Sequence, residues 1–197
     1  MKKINIDKIY NRDEEVNFIP RNDYLSIYQG IEEVFSPKSL ADMGCRCGHL
    51  ISLFKEHNGG EVLGVDYFNW NKEASDPSIQ DNFLVWDLRD PLPNSYPTYD
   101  VVISTEVAEH IDPDYTLNYL NNLKSLMGGD SKLIISWSGG AKGTQHLNPL
   151  EQEDFFNFLS QNGLEVDAIL TTQFRNSIKD TPLYWYLSSS ISVWNKI

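Results

Sequence analysis

The sequence has only two cysteines among its 197 residues, Cys45 and Cys47, and they lie two positions apart. That spacing is too tight for a framework disulfide and indicates a reduced, cytoplasmic protein. No apolar run of about 18 or more residues occurs, so we expect no membrane-spanning helix. The first residues lack the apolar core and small-residue cleavage site of a secretory signal, so none is expected.

Basic residues are also few. Lys and Arg total 16 against 28 Asp and Glu, which gives a formal net charge of −12 and a pI near 4.6. Phosphate contacts supply most of the affinity for nucleic acid, and this overall charge opposes them. The composition therefore disfavours nucleic acid and anionic membranes as partners. It favours a small neutral or cationic substrate and leaves the oligomeric state open.

The chain contains no repeats and no linker long enough to divide domains. We predict a single domain over residues 1–197, with an N-terminal extension over 1–21 that packs loosely and a core over 36–197. A first helix is predicted over 24–35, capped by Asn22 or Asp23 and ended by Pro37.

Strands and helices then alternate. The predicted strands are 39–43, 61–66, 82–86, 99–105 and 131–137. The predicted helices are 47–57, 113–127 and 149–161, with Asp112 capping the second and Gly128-Gly129 ending it. A polar loop is expected between 66 and 82. Such alternation implies crossover connections and a mainly parallel sheet with helices on both faces.

Two further strands are predicted at the end of the chain, EVDAILTTQFR over 165–175 and YWYLSSSISVWNK over 184–196. No helix is expected between them, only the loop over 176–182. They are therefore predicted to form an antiparallel pair at one end of the sheet.

The most informative stretch is a strand, a glycine-containing turn and an apolar helix over residues 39–54. Backbone amides at a helix N-terminus favour an anionic group, and glycines allow close approach of a ligand. Asp42 before the turn can accept a hydrogen bond from a ligand ammonium. Asp66 ends the next strand, where an acid can accept from ribose hydroxyls. This pattern predicts a bound adenosine-type ligand.

These features resemble the class I S-adenosylmethionine-dependent methyltransferases over about residues 36–197. DMGCRCG is similar to that family's acidic-x-Gly-x-Gly-x-Gly motif, with Arg46 in place of the middle glycine. Asp66 in LGVDYF and Asp87 in FLVWDLRD match its acids after the second and third strands. YDVVISTEVAEHI matches its fourth-strand segment, and the predicted last strand matches its antiparallel seventh strand.

The resemblance implies a Rossmann-like three-layer α/β sandwich with a seven-stranded, mostly parallel sheet and an antiparallel C-terminal strand. It implies an enzyme with S-adenosyl-L-methionine as its cofactor. The implied cofactor-binding residues are Asp42, Gly44, Cys45, Arg46, Gly48, Asp66, Tyr67, Asp87, Leu88 and Thr105. Tyr67 or Phe68 would stack on the adenine, and Trp86 would either border it or belong to the core of the sheet.

Arg46 departs from the family pattern. If its position requires left-handed backbone geometry, a non-glycine residue costs about 1–2 kcal/mol. Otherwise its side chain points to solvent or to the methionine carboxylate of the cofactor.

Glu106, His110 and His146 are the candidate catalytic residues. Methyl transfer relies largely on proximity, often with a base, and a histidine can serve as one near neutral pH. An alternative is that EVAEH only stabilises the fold. Trp137, the loop over 138–146 and the aromatics Tyr184, Trp185 and Tyr186 would line an acceptor pocket or belong to the core.

The expected activity is methyl transfer to an oxygen or nitrogen of a small molecule, such as a sugar or glycan precursor. The segment after strand four lacks the Asn/Asp-Pro-Pro-Tyr/Phe and Pro-Cys signatures of enzymes that methylate exocyclic amines or cytosine C5. No metal is expected. In an alternative, Glu106, Glu109, His110 and His146 resemble the metal ligands of small-RNA 2′-O-methyltransferases. A third hypothesis is a catalytically degenerate fold that binds a partner protein.

Overall fold

A seven-stranded sheet lies at the centre of this computed structural model, which describes residues 3–6, 10–12, 20–93, 95–139, 145–181, 187 and 190–197. Its strands β1 to β7 are Ser39–Met43, Glu61–Asp66, Phe83–Val85, Tyr99–Ser104, Met127–Ile135, Leu164–Val166 and Ser192–Lys196. Their spatial order is β3-β2-β1-β4-β5-β7-β6. Only β7 runs against the other strands, because it pairs antiparallel with both β5 and β6. The predicted mostly parallel sheet with an antiparallel C-terminal strand is confirmed.

Helices cover both faces of the sheet. In the described part of the chain they are α1 Arg21–Phe35, α2 His49–Asn58, α3 Asn69–Ala74, α4 Thr116–Ser125, α5 Gln152–Gln161 and α6 Ala168–Ser177. Neighbouring strand residues face opposite cores: Leu40 packs with residues of α1, α2 and α6, whereas Ala41 packs with residues of α4 and α5. This two-residue alternation explains why the central strands are mostly apolar, since each is buried on both faces.

The end of the chain differs from the prediction. The segment EVDAILTTQFR, predicted as one strand, contains only the end of β6 and then becomes α6. The side chain of Asp167 caps this helix by accepting a hydrogen bond from Leu170 N at 2.9 Å. Phe174 and Ile178, four residues apart, are both fully buried on the face shared with α1. The expected absence of a helix between the last two strands was therefore wrong, although the two strands do pair antiparallel.

The chain around Gly128 and Gly129 also differs, because β5 begins at Met127 and runs through both glycines. The pairing of β4 with β5 shifts register here. Ser131 bridges the irregularity, since its Oγ accepts from Gly128 N at 2.7 Å and donates to Tyr99 O at 2.6 Å. A side-chain hydrogen bond thus permits a strand where the glycine pair suggested a stop.

Several helix starts lie away from their predicted caps. The first helix begins at Arg21 after Pro20, with no side-chain cap from Asn22 or Asp23. The helix expected from 113 begins at Thr116 after a 3₁₀ turn, and Asp112 pairs with Arg89 instead of capping it. The helix expected from 149 begins at Gln152. The loop expected between 66 and 82 contains α3 and a 3₁₀ turn, Pro77–Asn82. For Asp112, the ion pair with Arg89 is a tertiary contact that the sequence does not reveal.

The site follows from the strand order. From β1 the chain builds β2 and β3 on one side, and it then crosses back to form β4 on the other side of β1. The strand order therefore reverses at β1. In open parallel sheets such a switch point leaves a crevice beyond the carboxyl ends of the strands, where ligands bind.

Candidate active site

A cavity of about 980 Å³ lies at this switch point. Nine of the ten predicted cofactor residues line it: Asp42, Gly44, Cys45, Arg46, Asp66, Tyr67, Asp87, Leu88 and Thr105. The three candidate catalytic residues, Glu106, His110 and His146, line it as well. The carboxyl ends of β1, β2, β3 and β4 supply most of these side chains, which are up to about a hundred residues apart in the chain.

Gly48 is the predicted residue that does not line the cavity. It precedes α2 with φ +70°, and its N–H donates to Cys45 O at 2.8 Å. A Cβ at this position would lie 2.5 Å from Ile79 Cδ1. The structure thus gives Gly48 a role in closing the turn and packing it against the neighbouring segment.

Gly44 brings the turn close to the acceptor side of the cavity. Its φ is +92°, and its N–H donates to Val65 O at 2.7 Å. A Cβ here would overlap Val107 Cγ2 and lie 3.2 Å from Val107 Cγ1. The glycine therefore allows the turn after β1 to pack directly against Val107 in the segment after β4.

Asp66 ties the turn after β1 to the segment after β2. Its Oδ2 accepts from Arg46 N at 2.8 Å, and its Oδ1 accepts from Phe68 N at 3.1 Å and Asn71 Nδ2 at 2.8 Å. Burial raises the pKa of Asp66, and these hydrogen bonds oppose the increase. A carboxylate has about four acceptor positions, so Oδ2 retains capacity for a ligand hydroxyl.

Arg46 has left-handed backbone geometry, with φ +50°. Its N–H is directed to the Asp66 carboxylate, which compensates for part of the strain of a non-glycine residue at this φ. Among the alternatives for Arg46, the structure therefore shows strained backbone geometry together with a side chain that lines the cavity.

Asp87 belongs to an ion-pair network. Its carboxylate accepts from Arg89 Nε at 2.9 Å and pairs with Lys3 Nζ at 3.2 Å. Burial raises the pKa of Asp87, but the hydrogen bonds from Arg89 outweigh it, so the net pKa is lowered and the group stays ionised. Arg89, only 3% exposed, also pairs with Asp112 at 2.8 Å.

The end of the cavity beside the segment after β4 contains two neighbouring carboxyl groups. Glu106, with φ +55°, is held by Ser136, whose Oγ accepts from Glu106 N at 2.8 Å and donates to Oε1 at 2.9 Å. Glu109 is fully buried. Burial raises the pKa of both groups, and the charge of Glu106 raises that of Glu109 further. We therefore assign the proton of this pair to Glu109, because it is the more deeply buried.

His110 faces the same end. Its Nδ1 lies 3.0 Å from Gln145 O and 2.9 Å from Tyr10 Oη. Because a carbonyl oxygen only accepts, this contact assigns the proton to Nδ1 and leaves Nε2 as an acceptor. Burial, together with the charges of His146 and Arg46, lowers the pKa of His110 to about 4. The expectation of a general base that titrates near neutral pH is therefore revised: His110 is a neutral imidazole.

Other cavity residues escaped the sequence prediction. They are Ile6, Tyr10, Tyr24, Ile27, Leu50, Asn71, Val107, Ile111, Leu150, Glu151, Gln152, Leu187 and Ser190. Phe68 was predicted only as an alternative to Tyr67. Trp86 and Trp137 line the cavity. Tyr184, Trp185, Tyr186 and residues 140–144 lie outside the described residues. Most of the missed residues lie outside the matched motifs, and Val107 and Ile111 are apolar positions within YDVVISTEVAEHI that the motif alone does not mark as lining a site.

Comparisons with known proteins identify the family. Residues 21–169 match the family model described as a methyltransferase domain, and the chain therefore belongs to that family. Over 115 residues it is 29% identical to a sphingolipid C9-methyltransferase of Candida albicans. That match covers 53% of this chain and 22% of the relative, so the chain spans about a fifth of that protein's length.

Solved structures share the fold. The plantazolicin methyltransferase BpumL, in complex with a pentazolic desmethylPZN analog and SAH, has a TM-score of 0.65 at 14% identity, covering 96% of this chain and 90% of its own. A methyltransferase dependent on S-adenosylmethionine from Archaeoglobus fulgidus has a TM-score of 0.64 at 18% identity, covering 94% and 98%. The predictions of a class I methyltransferase, an enzyme, and S-adenosylmethionine as cofactor are confirmed. No helix in the described part of the chain is long and apolar enough to cross a bilayer.

The residues present fit this cofactor. Asp42, Asp66 and Asp87 offer one carboxylate at the end of each of three adjacent strands. Gly44 lines the same cavity without a side chain, so the backbone of the turn after β1 can approach a ligand closely. When bound, S-adenosylmethionine supplies an electrophilic methyl group.

Proposed function

We propose that this chain transfers a methyl group from S-adenosylmethionine to an oxygen or nitrogen of a small molecule, and that the acceptor is a sugar or glycan precursor. The observation that carries the proposal is the continuity of one cavity. The carboxylates after β1, β2 and β3 line the same space as Glu106, His110 and His146. A cofactor and a small acceptor can therefore occupy adjoining parts of it.

The residues have distinct proposed roles. Asp42 binds the amino group of the cofactor, Asp66 its ribose and Asp87 its adenine. Glu106 lies at the acceptor end, where its carboxylate takes up the proton that an attacking hydroxyl or amine releases. His110, neutral and with Nε2 available as an acceptor, orients the acceptor group.

The acceptor end also carries several hydrogen-bonding side chains, which support a hydroxyl-rich acceptor. They are Glu106, Gln145, His146, Glu151 and Gln152. Sugar hydroxyls both donate and accept, so they match a mixture of carboxylate, amide and imidazole groups. The buried cysteines Cys45 and Cys47, neither of which forms a disulfide, support a cytoplasmic location.

Calorimetry with S-adenosylhomocysteine tests the cofactor site. We expect the wild type to bind, and Asp66→Asn to weaken binding about tenfold, because one charge-assisted hydrogen bond contributes about 1.4 kcal/mol. Asp81→Asn is the matched control: Asp81 is exposed on the 3₁₀ turn before β3 and should leave affinity unchanged. No wild-type binding at about 1 mM ligand would contradict the proposal and favour the degenerate scaffold. Transfer of labelled methyl to sugars or sugar nucleotides then tests the acceptor class.

A second candidate is a metal-assisted reaction, because Glu109, His110 and His146 place ligand atoms within 4.8 Å of one another. They are three of the four residues in the alternative metal set. Within the described residues, the Glu109 carboxylate oxygens lack hydrogen-bond partners. A divalent cation would satisfy them and would suit an acceptor with two neighbouring hydroxyls, such as an RNA ribose.

Metal analysis separates the two candidates. If the metal site is real, protein dialysed against Mn²⁺ or Zn²⁺ should retain about one ion per chain, and His146→Ala should lose it. His57→Ala is the control, since His57 lies on α2 stacked against Tyr28 and outside the cluster. Retention of less than about a tenth of an ion by the wild type would eliminate this candidate.

A further inference from the structure

Residues 3–6 and 10–12 precede the part of the chain that matches the methyltransferase family, which begins at residue 21. We call them the N-terminal strap. Although the sequence predicts an extension that packs loosely, Ile6 and Tyr10 line the active-site cavity.

One end of the strap is attached beside Asp87. Lys3 Nζ lies 3.2 Å from Asp87 Oδ2 and 2.5 Å from Asp90 Oδ2. The backbone contributes too, because Ile4 O accepts from Arg89 Nη1 at 2.8 Å. Lys3 thus contacts Asp87, the residue that we propose binds the adenine of the cofactor.

The other end of the strap reaches the acceptor side. Tyr10 Oη lies 2.9 Å from His110 Nδ1, and the Tyr10 ring packs edge-on against Phe68 at 5.6 Å. Phe68 follows β2 at the cofactor side of the cavity. Tyr10 therefore contacts one residue on each side of the cavity, His110 on the acceptor side and Phe68 on the cofactor side.

We propose that the strap forms an outer wall of the active site, with Tyr10 as a positioning residue for His110 and Lys3 as the latch that holds the wall over the cofactor. This proposal rests on the proposed function. The Lys3 side chain is 28% exposed and those of Asp87 and Asp90 are 19% and 49% exposed. Ion pairs this accessible are weak, so the latch opens readily and lets the cofactor exchange.

The dissociation rate of S-adenosylhomocysteine tests the latch. Lys3→Ala should raise it about fivefold, equivalent to about 1 kcal/mol. Lys3→Arg should restore a rate near that of the wild type. Arg12→Ala is the matched control, because Arg12 is also a strap cation with a carboxylate partner, Glu73, but that pair lies at an exposed surface. It should change the rate by less than about twofold.

The imidazole ¹⁵N resonances of His110 test the role of Tyr10. Tyr10→Phe keeps the ring against Phe68 and removes only the hydroxyl, so the His110 signals should shift while those of His57 stay in place. Unchanged His110 signals, together with a dissociation rate for Lys3→Ala within about twofold of the wild type, would overturn the proposal. If the wild type binds no S-adenosylhomocysteine, the proposed function fails. The His110 resonances of the ligand-free protein then still show whether Tyr10 of the strap contacts His110.

Discussion

Gly44→Ala is expected to destabilise the fold by about 3 kcal/mol, because it adds left-handed strain of about 1–2 kcal/mol to an overpacking cost of similar size. The new Cβ would overlap Val107, and β-branched side chains such as valine are stiff at χ1. Relief of this overlap would displace the turn after β1 or Val107, both of which line the cavity. Binding of S-adenosylhomocysteine should therefore weaken about a hundredfold, the equivalent of about 3 kcal/mol.

Two matched variants separate the causes of this effect. Gly59→Ala has a similar φ of +64° but nothing within 4 Å of the added Cβ, so it measures backbone strain alone. It should cost about 1 kcal/mol and leave binding intact. Arg46→Gly should act in the opposite direction and stabilise the chain by up to about 1 kcal/mol, since it relieves a positive φ. Urea unfolding and calorimetry give both quantities. Equal stability losses for Gly44→Ala and Gly59→Ala would show that the contact with Val107 does not matter.

The central strands could be predicted because consecutive apolar residues indicate that a strand is buried. Residues 40–43 and 99–104 are nearly all apolar, which is typical of parallel strands buried on both faces. The segment after β6 could not be predicted in this way. Its β-branched residues favour a strand, whereas the Asp167 cap and the packing of Phe174 against α1 stabilise a helix.

Some residues of the candidate site could likewise be predicted from the sequence, and others could not. The turn after β1 and the acids ending β2 and β3 are recognisable because each lies at a fixed place relative to a strand. Tyr10 is separated from its partner His110 by 100 residues, and nothing local to either position indicates the contact. Similarly, the positive φ of Glu106 depends on Ser136 from the neighbouring strand. Contacts between residues that are far apart in the chain could therefore not be predicted from the sequence.

Binding of the cofactor should strengthen with pH, and Asp42 is the expected cause. Burial, and then the charge of Asp66, raise the pKa of Asp42 to about 7. Only the ionised form attracts the ammonium group of S-adenosylhomocysteine. In the ligand-free protein the Asp42 carboxyl is ionised in about half of the molecules at pH 7 and in about 1% at pH 5. The affinity for S-adenosylhomocysteine should therefore rise about fiftyfold over this range. Calorimetry across pH 5–8 measures it, and buffers of different ionisation enthalpy should reveal proton release.

The stability of the ligand-free protein should change in the opposite direction. The pKa of Asp42 is higher in the folded state than in the unfolded chain, so its contribution to stability is complete below pH 4 and is lost as pH rises through about 7. Asp42→Asn imitates the protonated acid. It should be more stable than the wild type at pH 8, more stable by a smaller margin at pH 5 and no more stable below pH 4, and its weak ligand binding should be nearly indifferent to pH. Asp66→Asn should move the inflection to lower pH, because it removes the charge that raises the pKa of Asp42. A binding curve that keeps its pH dependence in Asp42→Asn would assign the titration to another carboxyl group of the cavity.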